Sequence, residues 1–522
     1  MRRGGRRVPA PLALAATLIA VGVALPVAYL AVVLFDEPSA AWQSLRRDEP
    51  LALLVRSLTL AICVAGAATA LAVPLAWLTG RTDLPGRRAW AVLAALPLVI
   101  PSYIGAYLLV SALGPRGELQ SVLEPFGIDR LPSIYGFGGA WLVLTLFTYP
   151  LVLLPVRAAL LRLDPQLEDA ARGMGRSSLD IFRSVVVPQL VPAIGAGALL
   201  AALYTLSDFG AVSILRFDSF TRVIYQSYRA SFDRTGAAAL AALLVLVMFA
   251  LLALEAAVRR GRDYHRSAPG AARPLTVVPL GRWRWPAAGF CALVTGLALA
   301  LPVAMLVVWA LRSVSGTTDW EVIAGATGNS LLLAGLAAIA ATAVALPVAW
   351  LGARFPGRLA TLVEGATTTG YALPGIVVAL ALVFFGIRAV PALYQTLAML
   401  VIAMVVLFLP LATGAIRTSL LQVSPRLEEA ARGAGRSPLS AVLTVTVPLA
   451  RRGVLAGAAL VFLTTIKELP AVLLLSPIGF DTLPAEIWKE SSRLFFEAAA
   501  VPALVLLAVS APPLWLLVGR GR

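Results

Sequence analysis

The chain has 522 residues, of which 59% are hydrophobic and only 13% charged. That balance excludes an ordinary soluble domain and points to a polytopic helical membrane protein. Its net charge of +16 reads as basic loops on one side of a bilayer, not as a nucleic-acid surface. Twelve apolar windows follow along the chain, near 9–34, 52–78, 89–112, 136–161, 188–207, 236–258, 286–311, 328–352, 360–386, 393–418, 448–472 and 496–518. The basic start, MRRGGRR, precedes a run longer than a usual signal-peptide core, so an uncleaved first helix is expected. With that start inside, the inner segments hold 29 of the Lys and Arg residues and the outer loops 12, which predicts two cytoplasmic termini. Cys63 and Cys291 sit in or beside apolar windows and imply neither a disulfide framework nor a thiolate metal site. The lone His265 falls in a polar linker.

The two halves of the chain repeat in register. Ser57 to Trp77 matches Ser330 to Trp350 at an offset of 273, which Pro101 and Pro374 also keep. After an extra first-half loop (roughly 115–134) the offset becomes 260, pairing Pro150 with Pro410 and Pro165 with Pro425. Six spans per half preserve sidedness, so the fold expected is all-α, two parallel six-helix repeats. The sequence divides at 1–258, a cytoplasmic linker over 259–285, and 286–522.

One polar stretch is kept in both halves. Leu167 to Pro188 and Leu427 to Pro448 share 13 of 22 positions without a gap. Each reads as a helix–turn–helix at the inner membrane face, within 164–187 and 424–447. Asp164-Pro165 and Ser424-Pro425 supply an N-cap and a first-turn proline. Glu168 and Asp169, or Glu428 and Glu429, favour the positive end of the helix dipole. Gly173 and Gly175, or Gly433 and Gly435, end the helix. Ser177-Ser178 and Ser437-Pro438 restart a second short helix, and Pro188 or Pro448 opens the next span. A bilayer does not require such charges twice, so the stretch reads as a docking surface.

Asp169-Ala170-Ala171 with Gly175, and Glu429-Ala430-Ala431 with Gly435, resemble the E-A-A-x-x-x-G loop of permease subunits in bacterial ABC importers. The first copy departs from that pattern only in having Asp for Glu. The resemblance covers essentially the whole chain, as two fused permease domains. It implies a coupling helix that sits in a groove of a separate ATPase subunit, with ATP and magnesium bound there. The residues it assigns to coupling are Glu168, Asp169, Ala170, Ala171 and Gly175, with Glu428, Glu429, Ala430, Ala431 and Gly435.

A second paired motif stands in the fifth span of each half: Ser207-Asp208-Phe209-Gly210 and Lys467-Glu468-Leu469-Pro470, the latter continuing as AVLLLSPIGFDTLPAEIW. This combination is similar to the fused permeases of ferric-iron importers. Fused thiamine permeases share the plan, and polyamine and phosphonate permeases are related. Charges at membrane depth need a partner or a wet cavity. Asp208, Lys467 and Glu468 are therefore read either as a polar gate near the outer mouth or as a structural ion pair at a helix end. Tyr103, Tyr107 and Tyr371 carry phenol oxygens suited to a hard cation, although aromatic belts at interfaces are common. No dedicated metal ligands are assigned, which suits a hard ion in transit.

Lys467 and Lys489 are the only lysines, and neither ends a phosphate-binding loop. The chain is thus not expected to hydrolyse ATP. The resemblance implies two copies of a cytoplasmic ATPase, a periplasmic binding protein and a bacterial inner membrane as partners, and no nucleic acid. A major-facilitator transporter is the competing class, because Asp83 to Arg88 partly matches its D-R-x-G-R-R loop. Thr79 and Leu84 break that match, and the class leaves the paired loops unexplained. A membrane-embedded enzyme finds no Ser/His/Asp or metal-ligand constellation.

Overall fold

The computed structural model describes residues 8–519 except 47, 115–116, 118–119, 121–123, 127–131, 164, 261–276 and 315–318. Asp164, His265, most of the linker and much of the extra first-half loop therefore lie outside the described residues. The first half runs as α1 (Ala10–Asp36), α2 (Asp48–Arg81), α3 (Ser102–Leu113), α4 (Phe137–Leu160), α5 (Pro165–Gly173), α6 (Val187–Ser207), α7 (Gly210–Ile214), α8 (Phe220–Arg229) and α9 (Arg234–Arg260). After the linker come α10 (Arg284–Thr295), α11 (Leu301–Val314), α12 (Trp320–Arg354), α13 (Arg358–Ala372), α14 (Gly375–Ala389) and α15 (Leu397–Gln422). The chain ends with α16 (Pro425–Gly433), α17 (Val447–Thr465), α18 (Pro470–Leu475), α19 (Leu483–Ser492) and α20 (Phe496–Gly519).

Ten helices among the described residues are long and apolar enough to cross a membrane, or eleven if a pair bent by 92° between Val99 and Ser102 counts as one. The class expected from sequence holds; the count of twelve differs at two prolines. Pro101 and Pro374 have no N–H and push the residue before them out of helical geometry. Ile100 and Leu373 accordingly adopt extended ψ values of 119° and 124°. The window at 360–386 is thus split between α13 and α14, neither of which spans alone.

The chain forms two compact units that do not follow its order. One gathers residues 48–223 and 246–313, the other 1–47, 224–245 and 314–522. Each is built on the same three helices. In the first, α2, α4 and α6 pack together; in the second, α12, α15 and α17 do. Small residues allow the close approach. A Cβ at Gly197 would lie 2.7 Å from Val152 Cα, and one at its repeat mate Gly457 would lie 3.1 Å from Ala412 Cα. The first helix of each sequence repeat belongs to the other compact unit. In the second unit, α1 buries Ala16 and Ala20 against Val348, Leu351, Ala360 and Val363. In the first, Cys291 and Trp309 of α10 and α11 are buried, and Trp309 stacks on Tyr107 with ring centroids 6.1 Å apart. Exposed Leu14, Leu18 and Val21 on α1, like Leu246 and Leu254 on α9, present an apolar exterior that suits lipid.

Candidate functional site

The two duplicated hairpins have the same architecture. α5 and α16 each close with a glycine in the left-handed region, Gly175 at φ 78° and Gly435 at φ 85°. The Gly175 N–H donates to the Arg172 carbonyl and the Arg176 N–H to the Ala171 carbonyl; Gly435 and Arg436 repeat this on Arg432 and Ala431. That is the Schellman pattern, in which an L side chain at the glycine is strained. Ser424 caps α16 by accepting from the Arg426 N–H. The short helices that follow, Ser178–Ile181 and Pro438–Ala441, are capped by Ser177 and Ser437, which accept from the Asp180 and Ser440 N–H groups at 3.2 Å.

Pro188 and Pro448 stand in the first turn of the next span, as expected, and the short helices join it without a break. Each runs through a π-helical turn, Phe182–Val186 or Val442–Thr446, straight into α6 or α17. A proline in a regular helix collides with the carbonyl four residues back, and the wider turn relieves that collision.

The acidic pair on each hairpin helix is divided between two jobs. Glu168 is buried and bonded through both oxygens to Arg81 Nη2, at 2.7 and 2.6 Å. Arg81, the last residue of α2, is 0% exposed. Glu428 repeats the contact with Arg354, the last residue of α12, at 2.9 Å to Nε and 2.7 Å to Nη2. Arg354 also donates to the Val423 carbonyl at 3.1 Å. Both guanidinium groups lie over a tryptophan, Arg81 over Trp77 at 5.7 Å and Arg354 over Trp350 at 5.6 Å. Removing one member of so buried a pair leaves a lone charge and costs about 3–5 kcal/mol. By contrast, Asp169 is about half exposed and paired only locally with Arg172, and Glu429 is exposed. Ala170 and Ala430 face outward with them, while Ala171 is buried and Ala431 half-buried. Leu167, Leu427 and Met174 are exposed apolar residues on these polar hairpins.

Motif reading misses Arg81 and Arg354, which belong to neither paired motif. Their signal is the repeat itself: they keep the 273-residue offset four positions beyond the matched Trp77 and Trp350.

At the other end of the core triads, Asp208 and Glu468 cap the short helices α7 and α18. Asp208 Oδ1 accepts from the Ala211 and Val212 N–H groups at 2.9 and 3.3 Å, and Oδ2 accepts from the Ser102 hydroxyl. Glu468 Oε1 accepts from the Ala471 N–H at 3.3 Å and lies against Gly375, where any side chain would collide with it. Ser102 and Gly375 are repeat mates, each following its unit's helix-breaking proline. A short acid beside serine in one unit therefore replaces a long acid beside glycine in the other. Asp208 is buried, whereas Lys467 and Glu468 are half-buried.

The tyrosines separate. Tyr107 packs on Trp309, Tyr103 lies against Gly210, and the Tyr371 side chain lies outside those described. Among the described residues, no three His, Cys, Asp or Glu side chains are grouped to hold a metal. The Asp83 to Arg88 loop also has a local explanation. Asp83 accepts from the Leu280 N–H at 2.8 Å and pairs with Arg284 at 3.7 Å, tying down the end of the linker.

A family model described as the binding-protein-dependent transport system inner membrane component matches residues 72–263 and again 342–518. The chain belongs to this family. Its two matches fall one in each sequence repeat, as a fused permease requires. The Fe(3+)-transport system permease protein FbpB 2 of Haemophilus influenzae is 34% identical over 513 residues, 97% of this chain and 98% of that protein. The molybdenum permease ModB of Escherichia coli is 31% identical over 196 residues, 36% of this chain and 84% of its own. The sulfate permease CysT of Salmonella typhimurium is 33% identical over 138 residues, 26% and 49% respectively. With its apolar helices, this permease is a multi-pass inner-membrane protein. The major-facilitator reading is set aside.

Proposed function

We propose that this permease is the membrane subunit of an ATP-driven importer that passes ferric iron delivered by a periplasmic binding protein. The observation that carries the substrate is the similarity to the Haemophilus Fe(3+) permease along nearly the whole of both chains. The mechanism is carried by the duplicated hairpins. Two copies of a separate ATPase, which bind the ATP and magnesium, dock on α5 and α16 through Leu167, Asp169, Met174, Leu427 and Glu429. The hairpins and both termini then face the cytoplasm, in agreement with the bias of basic residues. Closure of the ATPase pair moves both hairpins, and the buried Arg81–Glu168 and Arg354–Glu428 pairs oblige α2 and α12 to follow. The cavity opens outward to take the ion and inward to release it. Near the outer mouth, Glu468 is the carboxylate with acceptor capacity to spare for a cation, beside Lys467, whereas both oxygens of Asp208 are engaged in holding α7 and Ser102 together.

The test is uptake by proteoliposomes containing this chain, its ATPase and its binding protein, with labelled ferric iron and labelled thiamine compared and a control without ATP. Iron uptake that requires ATP and both partners is expected. Thiamine uptake would keep the mechanism and overturn the substrate; accumulation without the ATPase would overturn both.

A further inference from the structure

The hairpin clamp is one of two links made by each long core helix. At its opposite end α2 presents the buried Ser57, whose hydroxyl accepts from the N–H of Phe220, the first residue of α8, at 3.3 Å. In the other unit the buried Ser330 of α12 accepts from the N–H of Leu483, the first residue of α19, at 2.8 Å. A helix start leaves N–H groups in need of acceptors. Neither short helix meets that need at its first N–H from its own N-cap. The Ser219 hydroxyl is turned to Thr221 at 3.0 Å, and Thr482 makes no cap bond. The core helix caps a neighbour instead, and it does so twice.

This link follows a motif that sequence comparison at one fixed offset misses. Phe217-Asp218-Ser219-Phe220 is repeated as Phe480-Asp481-Thr482-Leu483, shifted to an offset of 263. The second unit adds a bond from the Asn329 amide to the Asp481 carbonyl at 2.9 Å.

Ser57 and Arg81 are 24 residues apart, as are Ser330 and Arg354. At about 1.5 Å per residue this is about 36 Å of helix, enough to cross the ~30 Å hydrocarbon core. Pro74 and Pro347, another repeat pair, are the prolines within these lengths; no loop interrupts either helix.

We propose that α2 and α12 are transmission elements. Arg81 and Arg354 are positioning residues that fix the coupling helices to one end, and Ser57 and Ser330 fix α8 and α19 to the other. The placement of α8 and α19 and the placement of the hairpins then change together, which is a coupling between two sites through one continuous element. The proposal rests on the reading of the hairpins as ATPase docks.

The experiment uses the complete complex in lipid nanodiscs and measures how strongly the binding protein, loaded with ferric iron, stimulates ATP hydrolysis. A parallel proteoliposome assay gives labelled iron moved per ATP. Only variants that still retain the ATPase on affinity purification are compared. Arg81→Glu with Arg354→Glu is expected to lose about tenfold in stimulation, and restoring each pair by adding Glu168→Arg and Glu428→Arg should return it to within about threefold. Ser57→Ala with Ser330→Ala should cost about twofold. If the arginine reversals prevent assembly, Arg81→Lys with Arg354→Lys keeps the charge, loses the planar fork, and should still lower iron per ATP by about threefold. Full stimulation in the assembled reversal variants, no recovery on swapping, or unchanged iron per ATP in the lysine variants would each overturn the proposal. Gly175→Arg with Gly435→Arg serves as the separate control. If it uncouples transport while the arginine variants do not, only the transmission role falls. If it too leaves transport intact, the docking role of the hairpins falls first.

Discussion

The hairpins and the helix breaks diverge to different degrees between the two halves. Around the hairpins, Arg81–Glu168 and Arg354–Glu428 correspond residue for residue in sequence, with the same left-handed glycine and the same π turn. At the breaks, the same helix-capping job is done by Asp208 with Ser102 in one unit and Glu468 with Gly375 in the other, and Lys467 stands where the first half has Ser207. On the proposed reading, two hairpins that meet copies of one partner have to stay alike. On that reading the breaks carry no such requirement, and each is free to differ.

The largest effects are expected at the hairpin glycines. Gly175→Arg and Gly435→Arg place a side chain in a left-handed backbone and a bulky charge on the proposed docking face. Iron uptake should fall by about tenfold or more for each variant, with the protein still in the membrane, since the strain itself is only about 1–2 kcal/mol. Full uptake in either variant would remove that hairpin from the mechanism. Next come the clamps. Arg81→Ala leaves the buried Glu168 only the exposed Arg172, 3.7 Å away, and should lower stability by about 3 kcal/mol, measured as a lower unfolding midpoint in detergent. Asp169→Ala, at an exposed position, should leave that midpoint nearly unchanged.

The breaks predict smaller and more lopsided effects. Glu468→Gln should reduce iron uptake with little change in stability, whereas Asp208→Asn should cost stability by about 1–2 kcal/mol with a smaller effect on uptake. Equal effects on both readouts would mean that the two acids share one role. Smallest of all is an exchange of pairs. Ser102→Gly and Asp208→Glu should each cost about 1 kcal/mol alone and less than their sum together, because the longer acid fills the space that serine vacates. Simple additivity would contradict the compensation.

Much of this is legible in the amino-acid sequence alone. The repeat, the spans, the hairpin caps and the terminating glycines are local signals, written in spacing and residue type. The interior of the hairpin is not. Glu168 and Asp169 are adjacent and chemically alike, and only the position of Arg81, 87 residues earlier in the chain, decides which one turns inward. Pro188 opens the next span as its position suggests, but the π turn that joins it to the preceding short helix has no mark in the residue types. The packing of α1 and of α10 and α11 is also illegible, since an apolar helix carries no record of which core it will join. The link from Ser57 to Phe220 escapes because the repeat changes offset between them.

Site-directed cross-linking asks whether both hairpins seat on ATPase subunits. Met174 and Ala434 follow the last residues of α5 and α16, and both are exposed. Met174→Cys and Ala434→Cys, treated with a short cysteine-to-amine cross-linker in the assembled complex, should each give a covalent adduct with the ATPase subunit. The double variant should capture two copies, and the parent chain, with Cys63 half-buried and Cys291 buried, should capture none. An assembled complex that is active in transport but yields no adduct from either position would contradict the account.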